Sequence, residues 1–181
     1  MNFHDLIQTR QSVRKYTSKP VEQEKLIQCL DAARLAPSAS NSQPWSFIVV
    51  NENDLLQKVG KACQGPMRSF NNFVPTAPVI LVMLIEKPKI LTEMGGRIKK
   101  KEYPLIDIGI AAEHFCLQAA ELGLGTCMLG WFNEKEIKLM LNIPENRTIG
   151  LLITLGYAPE NYLQRRKVRK PMDKTVKWNG Y

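Results

Sequence analysis

The stretch Pro104 to Leu122 constrains this chain more than any other. It is rich in Ala, Ile and Leu and carries few charges, Asp107 and Glu113 among them. A helix of that composition has no broad polar face, so it should be buried nearly all round, as the core of a small domain or as a seam between two copies. Gly123 and Gly125 end it. A second constraint is Val79-Ile80-Leu81-Val82-Met83-Leu84-Ile85. This run is continuously apolar, which marks a strand covered on both faces.

Around these two lie weaker signals. Asn2 caps a short helix from Phe3 to about Thr9, and Val21 to Leu35 has apolar residues at helical spacing. Phe47 to Val50 reads as a strand, followed by a helix from a capping Asn53 to about Cys63. Thr126 to Leu129 and Ile149 to Leu155 read as strands, with a helix between them that Asn133 caps and Leu141 ends. Gly65 to Thr76 looks irregular. Lys87 to Tyr103 is polar and basic with Gly95-Gly96 at its middle, and is expected to be a mobile excursion or lid. From Ala158 to Tyr181 the chain is polar and should be extended. Helices alternate with few, short strands and no regular βα units, which disfavours a TIM barrel or a doubly wound sheet. An α+β sandwich with a small central sheet fits better. No repeat, linker or low-complexity segment divides residues 1–181, so one domain is expected. The C-terminal tail cannot bury itself, which points to a dimer.

Composition narrows the function classes. With 44% hydrophobic and 23% charged residues, disorder is excluded as a description of the whole chain. The net charge of +8 is dispersed, with dense patches only at Arg97 to Lys101 and Arg165 to Lys170. That distribution suits an anionic small molecule better than nucleic acid, which favours one long basic stripe. Few aromatics lie outside the apolar runs, so a base-stacking platform is also disfavoured. The N-terminus lacks the basic and apolar regions of a secretory signal, and no apolar run reaches the roughly 18 residues of a membrane span. Cys29, Cys63, Cys116 and Cys127 are scattered without a C-x-x-C pair, so disulfides, zinc and iron–sulfur sites are not expected. A reducing cytoplasm is the expected setting, with the four thiols acting as small buried hydrophobes. Two histidines, His4 and His114, support neither a catalytic triad nor a metal site.

Three segments carry chemistry. Arg10, Ser12 and Arg14 alternate, which puts them on one face of an extended segment. Two guanidinium forks and a hydroxyl suit a phosphate. Pro37-Ser38-Ala39-Ser40-Asn41-Ser42-Gln43-Pro44-Trp45 is stiffened by proline at both ends. Its Asn41 and Gln43 offer amides to a ring with imide edges, and its small residues let a flat ligand approach. Lys167 and Arg169 alternate as well, and can close a phosphate site from the far end of the chain. Taken singly, the first and third segments read as solvated basic surface. For the loop, amides satisfying their own backbone are an equal alternative. Taken together, the segments suggest a phosphorylated heterocyclic cofactor and a redox enzyme.

The same residues, in this order and spacing, resemble the FMN-dependent nitroreductase family over nearly the whole chain. The resemblance rests on Arg10-Gln11-Ser12-Val13-Arg14-Lys15-Tyr16, the Ala36 to Trp45 loop, Asp107-Ile108-Gly109, and the helix end at Leu122-Gly123-Leu124-Gly125. It continues in Leu129-Gly130-Trp131-Phe132, Leu155-Gly156-Tyr157-Ala158, and Arg169-Lys170-Pro171 with Trp178-Asn179. It implies a three-layer α+β sandwich with a small, mostly antiparallel sheet, in an obligate, intertwined homodimer with FMN at the interface. Residues 158–181 would wrap the partner. Arg10, Ser12 and Arg14, with Gln11 close by, would hold the phosphate and ribityl chain, and Lys167 and Arg169 would complete that site. Pro37, Ser38, Ala39, Asn41 and Gln43 would reach the flavin from the other subunit, and the backbone of Met128, Leu129 and Gly130 would line the ring. The implied reaction is ping-pong: NADH or NADPH reduces the flavin and leaves, and a nitroaromatic, quinone or enone takes the electrons. No side chain is assigned as a catalytic acid or base, and no metal. Alternatives are a reductive dehalogenase or flavin destructase on the same fold, and a basic nucleic-acid-binding module.

Overall fold

A computed structural model describes residues 2–65 and 70–181. Its elements run α1 Phe3–Thr9, α2 Gln23–Arg34, β1 Trp45–Val50, α3 Asn53–Ala62, β2 Val79–Ile85, α4 Ile90–Lys99, α5 Tyr103–Glu121, β3 Gly125–Leu129, α6 Glu134–Met140, β4 Thr148–Gly156 and α7 Met172–Thr175. The strands form one sheet in the order β1-β2-β4-β3, each neighbouring pair antiparallel.

Three layers follow from the alternation within β2. Val79, Leu81 and Met83 point to one face, where they meet Cys29, Ala33, Ala111, Phe115 and Ala119 of α2 and α5. Ile80, Val82 and Leu84 point to the other face, against Leu56, Val59 and Ile137 of α3 and α6. This double cover explains the uninterrupted apolar run. Phe115, Ile80, Leu81 and Met83 are fully buried, and side chains of this size each contribute about 1.5–3 kcal/mol through burial. Cys29, Cys63, Cys116 and Cys127 are buried and unpaired. Burial pushes the thiols of Cys29, Cys63 and Cys116 up to about 12, which keeps them protonated and unreactive.

Several expectations need correction. α5 is not buried all round: Leu105 and Ile106 are about half exposed, and Gly109 is open. Its outer side, with Phe3 and Leu6 of α1, lines a groove of about 690 Å³ that also takes in Ile110, His114 and Leu117. The helix is as apolar as its composition indicates, but one stripe of it has no cover among the described residues. The excursion at 87–103 contains a helix, α4. Asn53 is the first residue of α3 and not its cap. Glu52 caps it instead, accepting hydrogen bonds from the backbone N–H of Asp54 (3.0 Å) and Leu55 (2.8 Å); a Glu side chain one residue earlier does what an Asn would do. Of the stretch expected to be irregular, 66–69 lies outside the described residues, and Val74–Thr76 forms a single 3-10 turn. No helix among the described residues is long and apolar enough to cross a membrane.

Candidate functional site

The first part of the site grows from the end of α1. Arg10 closes that helix, its backbone N–H bonded to Leu6 O at 2.9 Å. The chain then runs extended beside β3. Val13 N donates to Thr126 O at 2.8 Å, and Ser12 lies opposite Thr126 in a parallel bridge. Alternation puts Val13 inward, 4% exposed, and leaves Ser12 half-buried and Arg14 exposed on the other side. Gly125 permits this approach, since a Cβ there would sit 2.6 Å from Val13 Cγ2. Tyr16 anchors the segment from beneath. Its hydroxyl donates to Val13 O at 2.9 Å and lies 2.7 Å from Thr154 Oγ1, and burial pushes its pKa far above the usual phenol value.

The C-terminal segment returns to the same place. Tyr162 Oη accepts from Arg14 N at 3.0 Å, Gln11 Oε1 accepts from Arg165 N at 3.0 Å, and Gln8 O accepts from Gln164 Nε2 at 3.2 Å. Lys167 Nζ donates to Arg10 O. The two ends of the chain thus meet, as the spacing of basic residues had suggested. Arg10, Gln11, Thr126, Tyr162 and Gln164 line a small cavity of about 200 Å³ between them.

The electrostatics of this junction are unbalanced. Lys167 is held below the ordinary lysine pKa by burial, and then by Arg10 and Arg169. The Cys127 thiol, raised by burial, is pulled back by Arg14, Arg165 and Arg10. Against these cations stands Glu113, whose Oε1 lies 3.2 Å from Arg10 Nε. That ion pair lacks hydrogen-bond geometry, and Arg10 Nε is buried with no hydrogen-bond partner. An excess of cations over this one carboxylate, with Arg10 and Lys167 half-buried, suits an anionic ligand.

The second part is the loop after α2. Ala39–Asn41 forms a 3-10 turn, and Ser40, Asn41 and Gln43 hold φ of 52°, 49° and 49°. Non-glycine residues rarely sit there unless their surroundings over-determine it. Asp107 of α5 supplies one anchor, with Oδ1 and Oδ2 at 3.1 and 3.2 Å from Ala39 N. Others are Thr92 Oγ1 donating to Ala39 O (3.3 Å) and Gln43 N donating to Ser38 Oγ (2.9 Å). Gln43 Nε2 also donates to Asn41 Oδ1 at 3.0 Å, so the two amides are turned on each other and not on a neighbour. Pro37 leads into this turn.

The third part is the far end of β3. Met128 is partly exposed, Leu129 buried, and Gly130 exposed. A Cβ on Gly130 would meet no heavy atom within 4 Å, so its backbone faces open space. From Thr126 to Gly130 the strand covers about 13 Å, which separates the cationic junction from this open edge.

Within one chain the structure joins Arg10 to Lys167 and ties Gln11 and Arg14 to Arg165 and Tyr162 of the same returning segment, with Ser12 beside them on Thr126; Met128 and Leu129 lie along the same strand, with Gly130 just past its end. It does not join them to Pro37–Gln43: among the described residues, that loop's hydrogen bonds go to Asp107, Thr92, Trp45, its own members and, through Ser42, Lys89. Arg169 is exposed, its guanidinium bonded to Val168 O. Sequence reasoning missed the parts of Thr126, Tyr162 and Thr92, whose contributions run through backbone partners. For Asp107 a signal did exist, a carboxylate on an otherwise apolar helix. The described residues contain no group of His, Cys, Asp and Glu able to hold a metal.

Comparison with known proteins agrees with this architecture. The model of the nitroreductase family matches residues 7–157. A protein of Archaeoglobus fulgidus provisionally named NADH dehydrogenase/NAD(P)H nitroreductase is 33% identical over 163 residues, covering 86% of this chain and 84% of that one. Iodotyrosine deiodinase 1 of Sus scrofa is 26% identical over 196 residues, covering 96% of this chain and 67% of its own. Among solved structures, an FMN-dependent nitroreductase from Clostridium difficile R20291 superposes with a TM-score of 0.76 at 30% identity, covering 97% of this chain and 98% of that one. The chain belongs to the nitroreductase family, and is an oxidoreductase with that family's three-layer fold.

Proposed function

We propose that this protein is an FMN-dependent oxidoreductase that draws electrons from NADH or NADPH in a ping-pong sequence and passes them to a nitroaromatic, a quinone or a related electron-poor acceptor. The observation that carries the reading is the junction at Arg10 and Lys167, where the cations outnumber the one carboxylate, Glu113, that faces them. A phosphate monoester fits that donor set in charge and in hydrogen-bond demand. FMN, when bound, supplies the hydride chemistry. Arg10, Arg14, Lys167 and Arg169 hold its phosphate, with the Ser12 hydroxyl. Gln11, engaged with Arg165 N and Leu163 O, fixes the returning arm beside them. The backbone of Met128, Leu129 and Gly130 lines the ring edge, and no side-chain acid or base is required.

The reading includes a homodimer. The uncovered stripe of α5 forms the seam, and Pro37, Ser38, Ala39, Asn41 and Gln43 of the second copy approach the ring. Of residues 158–181, the part to Lys167 folds back on its own chain, and the part beyond it extends over the partner, which accounts for the exposure of Trp178 and Met172. Residues 87–103, with α4, act as a lid beside that loop. The four buried thiols suit a cytoplasmic setting.

The test is a visible spectrum of the purified protein, followed by NADH and NADPH oxidation with and without a nitrofuran. A yellow protein whose nicotinamide oxidation the nitrofuran accelerates is expected. A colourless protein that takes up no added FMN contradicts the reading. The deiodinase relative keeps reductive dehalogenation as the second reading. Iodide release from an iodotyrosine, with no turnover of nitrofuran, would favour it.

A further inference from the structure

Asp107 is 3% exposed, a carboxylate on the most apolar helix of the molecule. Burying an ionised group is costly unless specific partners receive it, and its core neighbours Ile108 and Ala111 show what packing alone would select there. Both of its oxygens face one backbone donor, Ala39 N. The carbonyl of the same residue accepts from Thr92 Oγ1, and Thr92 is 4% exposed. Both polar groups of Ala39 are therefore tied, the N–H to α5 and the carbonyl to α4 and, within the turn, to Ser42 N at 3.0 Å. Directly after Ala39 come Ser40 and Asn41 with positive φ, and Gln43 follows. A turn held in a sparsely populated conformation needs a rigid origin, and Ala39 is where the two helices provide one.

We infer that Asp107 is a positioning residue: through the Ala39 N–H it sets the Ser38–Gln43 turn in the shape that receives the flavin ring, with Thr92 fixing the turn from the lid side. This rests on the FMN reading above. The effect belongs to the ring end of the ligand and leaves the phosphate end alone, which makes it separable. Leu at 107 keeps the bulk and removes the acceptor. Asn keeps one acceptor oxygen for Ala39 N.

The experiment measures binding of FMN and of riboflavin, which lacks the phosphate, to the full-length protein by quenching of flavin fluorescence. Asp107→Leu should weaken both ligands by about tenfold or more, the cost of losing a preorganised surface. Their affinity ratio should stay within about twofold of the unaltered protein. Asp107→Asn should restore both to within about threefold, and the bound-flavin absorption bands of the Leu variant should shift while those of the Asn variant do not. If Asp107→Leu does not fold, as judged by circular dichroism, Thr92→Val decides: a parallel loss for both ligands supports the role, and unaltered affinity for both overturns it. Asp107→Leu binding riboflavin as the unaltered protein does, or losing FMN far more than riboflavin, also overturns it. Unaltered protein that binds neither flavin overturns the FMN reading itself, whereas failure of the variants alone leaves that reading standing.

Discussion

At the junction of Arg10 with Lys167 the backbone is ordinary and the side chains are unusual; at the Ser38–Gln43 turn the reverse holds. The junction sets long cations around a bridge to β3, with charge left over after Glu113. The turn sets short residues in left-handed conformations and occupies its amides with each other. One region offers a ligand charge, the other shape. An anion can be gripped by flexible, redundant side chains, because Coulomb attraction tolerates small errors in position. A flat ring needs a surface fixed beforehand, and a fixed surface needs buried supports such as Asp107.

The contrast can be broken most decisively at the charged end. Arg10→Ala with Arg169→Ala removes two charge-assisted contacts, each about 1.5–3 kcal/mol. FMN affinity should fall by about 100-fold or more, so that the protein purifies colourless, while riboflavin affinity changes by less than about threefold. Equal losses for both ligands would mean that the two regions are not independent. A medium effect is expected at the bridge. Gly125→Ala drives a methyl into Val13 Cγ2, 2.6 Å away, and overpacking of this kind costs about 1–3 kcal/mol. The melting temperature should drop by several degrees, and FMN should weaken more than riboflavin because Ser12 moves with Val13.

The smallest effect concerns Lys167. Its folded-state pKa lies below the ordinary 10.5, through burial and then Arg10 and Arg169. The folded protein thus binds this proton less well than the unfolded chain does, and stability rises with pH between the lowered value and 10.5. Inorganic phosphate at the junction should flatten that slope. Melting curves across this window, with Lys167→Met as the reference, measure it; identical slopes for the two proteins would remove Lys167 from the junction.

Legibility in the sequence followed the same division. β2 was readable to the residue because burial on both faces writes an uninterrupted apolar run, and α5 was placed within one residue at each end. The covering of α5 was not, since composition reports that a surface is apolar and not what lies against it. α4 was hidden by Gly95-Gly96 and by a polar sequence whose helix is decided by tertiary contact. At the candidate site, Arg10, Ser12, Arg14 and Lys167 announced themselves by type, and the structure brings Lys167 to Arg10. The turn's φ angles stayed invisible, and Asp107 stood out as a charge on an apolar helix without showing what it supports. No Gly marks Ser40 or Asn41, and the acceptor's partner is a backbone N–H, which every residue but proline has.

The hydrogen bond from Lys167 to Arg10 spans 157 positions of sequence. A chain emerging from a ribosome can make such a closure only once Lys167 is out, after all four strands have been synthesised. Nascent chains interrupted between Gly156 and Lys167 would carry the fold's layers without the clasp. Loading of any anion held there is thereby deferred until every layer of the fold has been synthesised.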